Sequence, residues 1–363
     1  MSAINLSKID IFGNETGTIN TANCYIVHEP GYYSIPLVYG NAIKNGKPNP
    51  EAYTNQKPGN YLFTDYVDYI DKPICFPEIK DKIKKVDVVW KSDGLTLENL
   101  SFNDHELFFK LDKNRKGKTG ENVLVAIYDD DNTIIWSWHI WYYEGDLTPI
   151  YFSDHPRKKL TKNYQFAILP VNLGWNGEIG TYYQWGRKDP FRGDIEKVSV
   201  LKRGEIFRSI KEPEYMYEEL DYGWCVNLWD ARCENIEDED NQNPNKSRRT
   251  IKTIYDPCPA GFKVPGCDVF QSLETGGVIG KWDNGLRFKG GRQCGPDGLF
   301  FPASGLRSRT NSGLYSVSSY GYYWSSASIS YAGAYSLNFD SGSVYPVSGY
   351  SRASGFSVRP FLE

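Results

Sequence analysis

Long hydrophobic runs are missing from this chain. No apolar stretch approaches the roughly 18 residues that cross a bilayer as a helix. Met1-Ser2-Ala3 opens without a charged segment leading into an apolar one, so no secretory leader is expected within the sequence as it stands. An exported form would carry its signal or anchor segment outside this stretch. Charge of one sign is also missing. The 41 Lys and Arg against 45 Asp and Glu leave a net charge of −4, which offers no broad cationic surface to nucleic acid or to an anionic membrane. Histidine is scarce: His28, His105, His139 and His155 are the whole set. A Ser-His or Cys-His couple inside the C-terminal half is excluded by that count. Seven cysteines, Cys24, Cys75, Cys225, Cys233, Cys258, Cys267 and Cys294, include no C-x-x-C and no His partner at zinc spacing, which argues against a metal cluster. Their spacing leaves open both pairing, as of Cys24 with Cys75, and buried free thiols.

What is abundant points to β-structure. The chain has 27 Tyr, 10 Trp and 34 Gly against 2 Met, the profile of short strands joined by tight turns, with amphipathic rings left over for recognition surfaces. Its 363 residues have room for two cores. In the first half, Asn23 to Val27, Tyr32 to Val38, Val86 to Trp90, Leu107 to Leu111 and Val123 to Tyr128 read as strands. The clearest unit is a hairpin. Val123, Val125 and Ile127 alternate with other residues, Asp129 to Asn132 turns, and Ile134, Trp136, Trp138 and Ile140 return, so one face is strongly apolar and demands a second sheet. The expected fold is a β-rich two-domain protein. Residues 1–145 form an all-β, immunoglobulin-like sandwich, 146–162 a Pro- and Gly-bearing linker, and 163–363 an α+β domain.

In that second half, Glu234 to Arg249 reads as an exposed loop. A helix is predicted from Asp268, as cap, to about Thr275, where Gly276-Gly277 stops it. The Ser-, Gly- and Tyr-rich tail resembles a linker by composition, but its alternation argues for folded strands. Tyr335, Leu337 and Phe339 alternate, Asp340 to Ser343 turns, Val344 to Val347 returns, and Phe356 and Val358 alternate again.

Several segments carry a family resemblance. They are Asn172-Leu173-Gly174, Thr181 to Phe191 (TYYQWGRKDPF), Tyr255 to Pro265 (YDPCPAGFKVP), Phe301-Pro302-Ala303-Ser304-Gly305 with Tyr323-Trp324-Ser325-Ser326, and Gly355 to Pro360 (GFSVRP). In order and spacing they resemble the major paralogous domain first named for Fibrobacter and abundant in surface and fimbrillin-like proteins of Bacteroidetes. The resemblance implies a C-type-lectin-like fold with the closing Gly355–Arg359 strand near the middle of the sheet system. The first half is similar to a module found beside that domain, through Ala22 to Val27, Leu37 to Asn41 and Trp136 to Trp141. Pro170-Val171 stands where the family often has Asp-Arg, and the insertion from Ile195 to Lys252 matches no family motif. The resemblance further implies a cell-surface, extracellular location.

Enzymatic chemistry is not expected. No carboxylate pair is placed beside an aromatic cleft as a glycosidase requires. Formylglycine-generating relatives use a late cysteine pair, whereas no cysteine follows Cys294. No cofactor is predicted. Calcium is the one ion that the residue types leave open, since Trp282-Asp283-Asn284 resembles a lectin ligand segment in altered order and Asp129 to Asp131 clusters acids. Trp185, Arg187 and Asp189 read as a buried Trp with an Arg-carboxylate pair that fixes a loop, and Arg359 as equally structural. The ligand-binding candidates are therefore Trp282, Asp283 and Asn284 with the loop tyrosines Tyr320, Tyr322, Tyr331, Tyr345 and Tyr350, because rings stack on a sugar while Asn and Asp take its hydroxyls. Expected partners are a glycan or a host surface protein, in the manner of an adhesin. The alternative is a structural subunit that meets other pilus or surface-assembly subunits.

Overall fold

The computed structural model describes residues 2–54, 65–113, 119–153, 165–220, 225–232, 250–273, 278–288, 298–329 and 332–363. The chain is β-rich throughout, with two short α-helices among the described residues. In the first half two four-stranded sheets form. One holds Ile4–Asn5, Gly31–Pro36, Glu106–Lys113 and Leu95–Phe102, and the other Cys24–Val27, Ile134–Tyr143, Gly120–Tyr128 and Lys85–Lys91. Leu95–Phe102 was not foreseen. Its Glu98, Asn99 and Ser101 are exposed and its register slips between Glu98 and Ser101, so its apolar alternation is weak in sequence.

The predicted hairpin is present, with Trp136, Trp138 and Ile140 paired to Ile127, Val125 and Val123. Yet the Ile134–Tyr143 strand is buried along its whole length, so both of its faces are covered. Trp136 packs edge-on to Tyr39, ring centroids 5.0 Å apart. From the odd-numbered face, Ser137 donates to Asp189 (2.7 Å) and Trp141 Nε1 donates to the Trp175 carbonyl (3.0 Å). The second half is thus what covers the other face. One apolar core runs from Ile26, Trp136 and Trp138 through Trp185 and Tyr255 to Trp324 and Phe356.

Ile150–Ser153, inside the stretch read as linker, is a strand paired with Gln165–Ile168; residues 154–164 lie outside the described residues. The unmatched insertion holds a parallel pair, Ser199–Gly204 with Tyr215–Leu220, joined through the helix Ile206–Lys211. The other helix is Cys267–Gln271, shorter than expected and capped by Gly266, with Asp268 buried in its first turn. Thr275 to Gly277 lie outside the described residues, as does the loop Glu234 to Arg249.

The tail folds as its alternation requires. A seven-stranded sheet contains Leu314–Tyr315, Leu306–Arg307, Gly355–Ser357, Gly321–Ser328, Gly333–Phe339 and Val344–Ser351 in that order, with Tyr182–Gln184 pairing Gly355–Ser357. The closing Gly355–Ser357 strand is therefore interior to the sheet. Asp340 makes the turn by accepting from the backbone N–H groups of Gly342 and Ser343. One face of this sheet, carrying Tyr323, Leu337, Phe339 and Val344, packs on Phe288, Phe301 and Phe361 in a second core. Successive residues alternate in direction, so Tyr322, Trp324, Ser336 and Asn338 belong to the opposite face.

Candidate functional site: a tyrosine face on the large sheet

On that opposite face, Trp324 is fully buried, and its Nε1 donates to the Tyr183 carbonyl (2.8 Å). Phe356 stacks on it with centroids 4.1 Å apart. Tyr322 tilts on Phe356 at 4.9 Å, Tyr350 on Phe356 at 4.9 Å, and Tyr320 stacks on Tyr322 at 6.1 Å with 23° between planes. The rings form a continuous pile from core to solvent, where Tyr320 is 41 % exposed. Register adds a row across it. Tyr322 pairs with Asn338 and Asn338 with Tyr345, and paired residues share a face. Two strand spacings, roughly 10 Å, separate Tyr322 from Tyr345.

The hydroxyls distinguish these tyrosines from the core ones. Tyr182, Tyr255 and Tyr323 donate to the carbonyls of Ser304, Val67 and Pro302. Among the described residues, no protein partner meets the hydroxyls of Tyr320, Tyr322, Tyr345 and Tyr350. Burial, with Tyr350, Tyr320 and the Asp340 carboxylate nearby, pushes the Tyr322 phenol up to about 12. It stays a neutral donor at physiological pH. Asn338 Oδ1 accepts from Ser336 Oγ at 2.9 Å, which leaves the amide nitrogen to the face. The site can therefore stack a flat apolar surface and hydrogen-bond hydroxyls, and it holds no nucleophile-base pair.

Of the eight candidates, the structure gathers Tyr320, Tyr322 and Tyr350 by ring contact and Tyr345 by register. Tyr331 lies outside the described residues. Trp282, Asp283 and Asn284 are elsewhere: Trp282 packs edge-on to Phe339 in the second core, 6.4 Å between centroids, on the other side of the sheet. Asp283 and Asn284 form the exposed turn beside it, with Asn284 at φ 50°. Their expected partnership with the tyrosines is not made, because Phe339 and Asn338 point to opposite faces. Among the described residues, no three His, Cys, Asp or Glu side chains converge as a metal would require. Sequence reasoning missed Asn338 and Phe356 as parts of the site; the signal was the alternation of Ser336 and Asn338 with the core residues Leu337 and Phe339.

Residues read as structural are buried, with one correction. Asp189 pairs with Lys188 (2.7 Å) and Ser137, not with Arg187. The Arg187 guanidinium instead donates to the carbonyls of Pro213 and Tyr215, so it clamps the insertion. Burial lowers the Lys188 ammonium, partly offset by Asp189. Arg359 donates to the carbonyls of Leu169, Pro170 and Phe300 and to Asn172 Oδ1. Cys24 and Cys75 are both free, the first buried and the second exposed, so that pairing is not formed.

Residues 298–361 match the family described as "Domain of unknown function (DUF8237)". That span contains the whole tyrosine face and excludes Trp282 to Asn284. No curated protein and no solved structure matches the chain.

Proposed function

We propose that this is an extracellular, cell-surface binding protein of adhesin type, in which an immunoglobulin-like sandwich supports a C-type-lectin-like domain of the major paralogous kind, and that the tyrosine face recognises a glycan. The observation that carries the reading is the set of four tyrosines on one sheet face whose hydroxyls make no hydrogen bond to the described residues, above a ring stack rooted in the core. Rigid aromatic rings lose little entropy on binding, and a sugar presents both an apolar face for stacking and hydroxyls for bonding. Chemistry is disfavoured by burial. Ser137, Lys188 and Asp189 have the residue types of a nucleophile and base, but they are 0 %, 3 % and 2 % exposed, so no substrate reaches them. Immobilised glycans probed with the whole chain test the proposal. Binding that falls when Tyr320 and Tyr345, both exposed, are changed to alanine supports it. Blank binding across the array at high micromolar protein sinks it.

A further inference from the structure

From Gly313 to Pro360 the charged residues are Asp340, Arg352 and Arg359, in a chain that is 24 % charged overall. Both arginines are turned inward. Arg359 is 1 % exposed and spends its guanidinium on the carbonyls described above. Arg352 is 0 % exposed, donates to the Cys225 carbonyl at 3.1 Å, and lies 5.3 Å over the Trp185 ring. Its Nε and Nη2 lack protein partners, but a wholly buried group is not offered to a ligand from solvent. The charge left at the surface of these strands is the Asp340 carboxylate, which directly follows Phe339, the residue paired with Gly321, and so stands at the Tyr320–Tyr322 end of the face.

We infer that the tyrosine face selects a neutral oligosaccharide and rejects sulfated or uronic-acid glycans; this rests on the glycan reading above. A sulfate or carboxylate brought onto the face meets no cation from the strands that build it, loses its hydration, and faces Asp340, so these strands do not compensate its burial. A neutral pyranose has no such cost. It stacks on Tyr320 and Tyr322, its hydroxyls meet neutral phenols and the Asn338 amide, and the separation from Tyr322 to Tyr345 is wider than one sugar ring. The contacts are uncharged, so screening by salt leaves them unchanged.

The test titrates the whole chain with neutral probes (mannan, xylan and soluble β-glucan oligosaccharides) and acidic ones (heparin and oligogalacturonate) at low and high NaCl. Expected is binding to a neutral probe that changes less than about twofold with salt and weakens about tenfold or more in Tyr345→Ala and in Tyr320→Ala. Asp340→Asn, which keeps an oxygen for the turn, should narrow the preference for neutral over acidic probes. Tighter, salt-sensitive binding of heparin or oligogalacturonate that the tyrosine variants abolish overturns the inference while the face stands as a glycan site. Neutral binding indifferent to both tyrosine variants overturns it by placing the sugar elsewhere. No binding to any probe removes the glycan reading and this inference together.

Discussion

The joint between the two halves and the tyrosine face use polar groups in opposite ways. At the joint the polar groups are enclosed and their amide and ammonium donors are matched, although Asn23 Oδ1 and Asn41 Oδ1 accept nothing. Asn23 Nδ2 donates to the carbonyls of Ile254 (2.6 Å) and Asp256 (2.8 Å), Asn41 Nδ2 to those of Thr253 (2.6 Å) and Asp256 (3.2 Å), and Lys188, Asp189 and Ser137 close a buried triangle. On the face, hydroxyls stand over a rigid base and bond none of the described residues. The difference separates side chains that tie one half's backbone to the other from tyrosines that are left to meet something else. Buried groups without partners cost far more than exposed ones, so mutations at the two places should differ in kind: stability at the joint, recognition at the face.

The largest effect is expected at Lys188. Lys188→Met strands the Asp189 carboxylate at 2 % exposure, and breaking a buried pair from one side costs about 3–5 kcal/mol. Urea unfolding followed by tryptophan fluorescence should show that loss in one transition, because Trp136, Trp185 and Trp229 lie in one core. Two separate transitions, with only one displaced, would mean that the joint does not couple the halves.

His139 gives the next effect, and it depends on pH. Its Nε2 is 2.8 Å from Asn122 Oδ1, whose amide is oriented by donating to the Gly174 carbonyl, so Nε2 carries the proton and Nδ1 faces no partner. Burial lowers its pKa from 6.5 to about 3. The unfolded chain then binds the proton first, and stability present above pH 6.5 is lost as pH falls toward 3. The slope is about 1.4 kcal/mol per pH unit in that window. In His139→Gln this part of the acid dependence should vanish; an unchanged slope between pH 6.5 and 4.5 would assign it to carboxylates instead.

Smaller again is the loss of one amide at the joint. Asn23→Ala leaves two buried carbonyls without that donor, for about 1–3 kcal/mol. Gly40→Ala should act on the same contact, since a Cβ there would fall 2.0 Å from Asn23 Oδ1. Equal destabilisation by the two single variants, with little added in the double, is the expected double-mutant result; full additivity would show that Gly40 matters for its own backbone.

Much of the architecture was legible because alternation reports burial directly. The Trp136-Trp138-Ile140 and Tyr335-Leu337-Phe339 runs each became a strand, with all of the first run and Leu337 and Phe339 of the second turned inward and Tyr335 half-buried. What stayed hidden depends on contacts remote in sequence. That Ser137 and Trp141 are also covered follows from the other half, not from the hairpin's own pattern, and Lys188 finds Ser137 across 51 positions. The tyrosines were visible as a composition, but not which side of the sheet each takes. Trp282 was grouped with them because both are aromatic and near turns, and only the register, with Tyr322 and Asn338 on one face and Tyr323 and Phe339 on the other, separates the two sets.

The smallest stability effect is the one that bears most on function. Tyr345 is 56 % exposed and its hydroxyl has no partner among the described residues, so Tyr345→Ala should leave the unfolding free energy within about 0.5 kcal/mol of the parent. A buried tyrosine gives the opposite expectation. Tyr323, with its hydroxyl on the Pro302 carbonyl at 2.6 Å and its ring 5.0 Å from Phe301, should cost about 3–5 kcal/mol when cut to alanine, as large aromatic core residues do. Measuring both in the same urea series asks whether residues of one type, in strands of one sheet, divide into scaffold and surface as the hydroxyl partners indicate. If Tyr345→Ala destabilised the chain as much as Tyr323→Ala, its ring would be serving the fold, and the case for a face set aside for recognition would fail at its most exposed member.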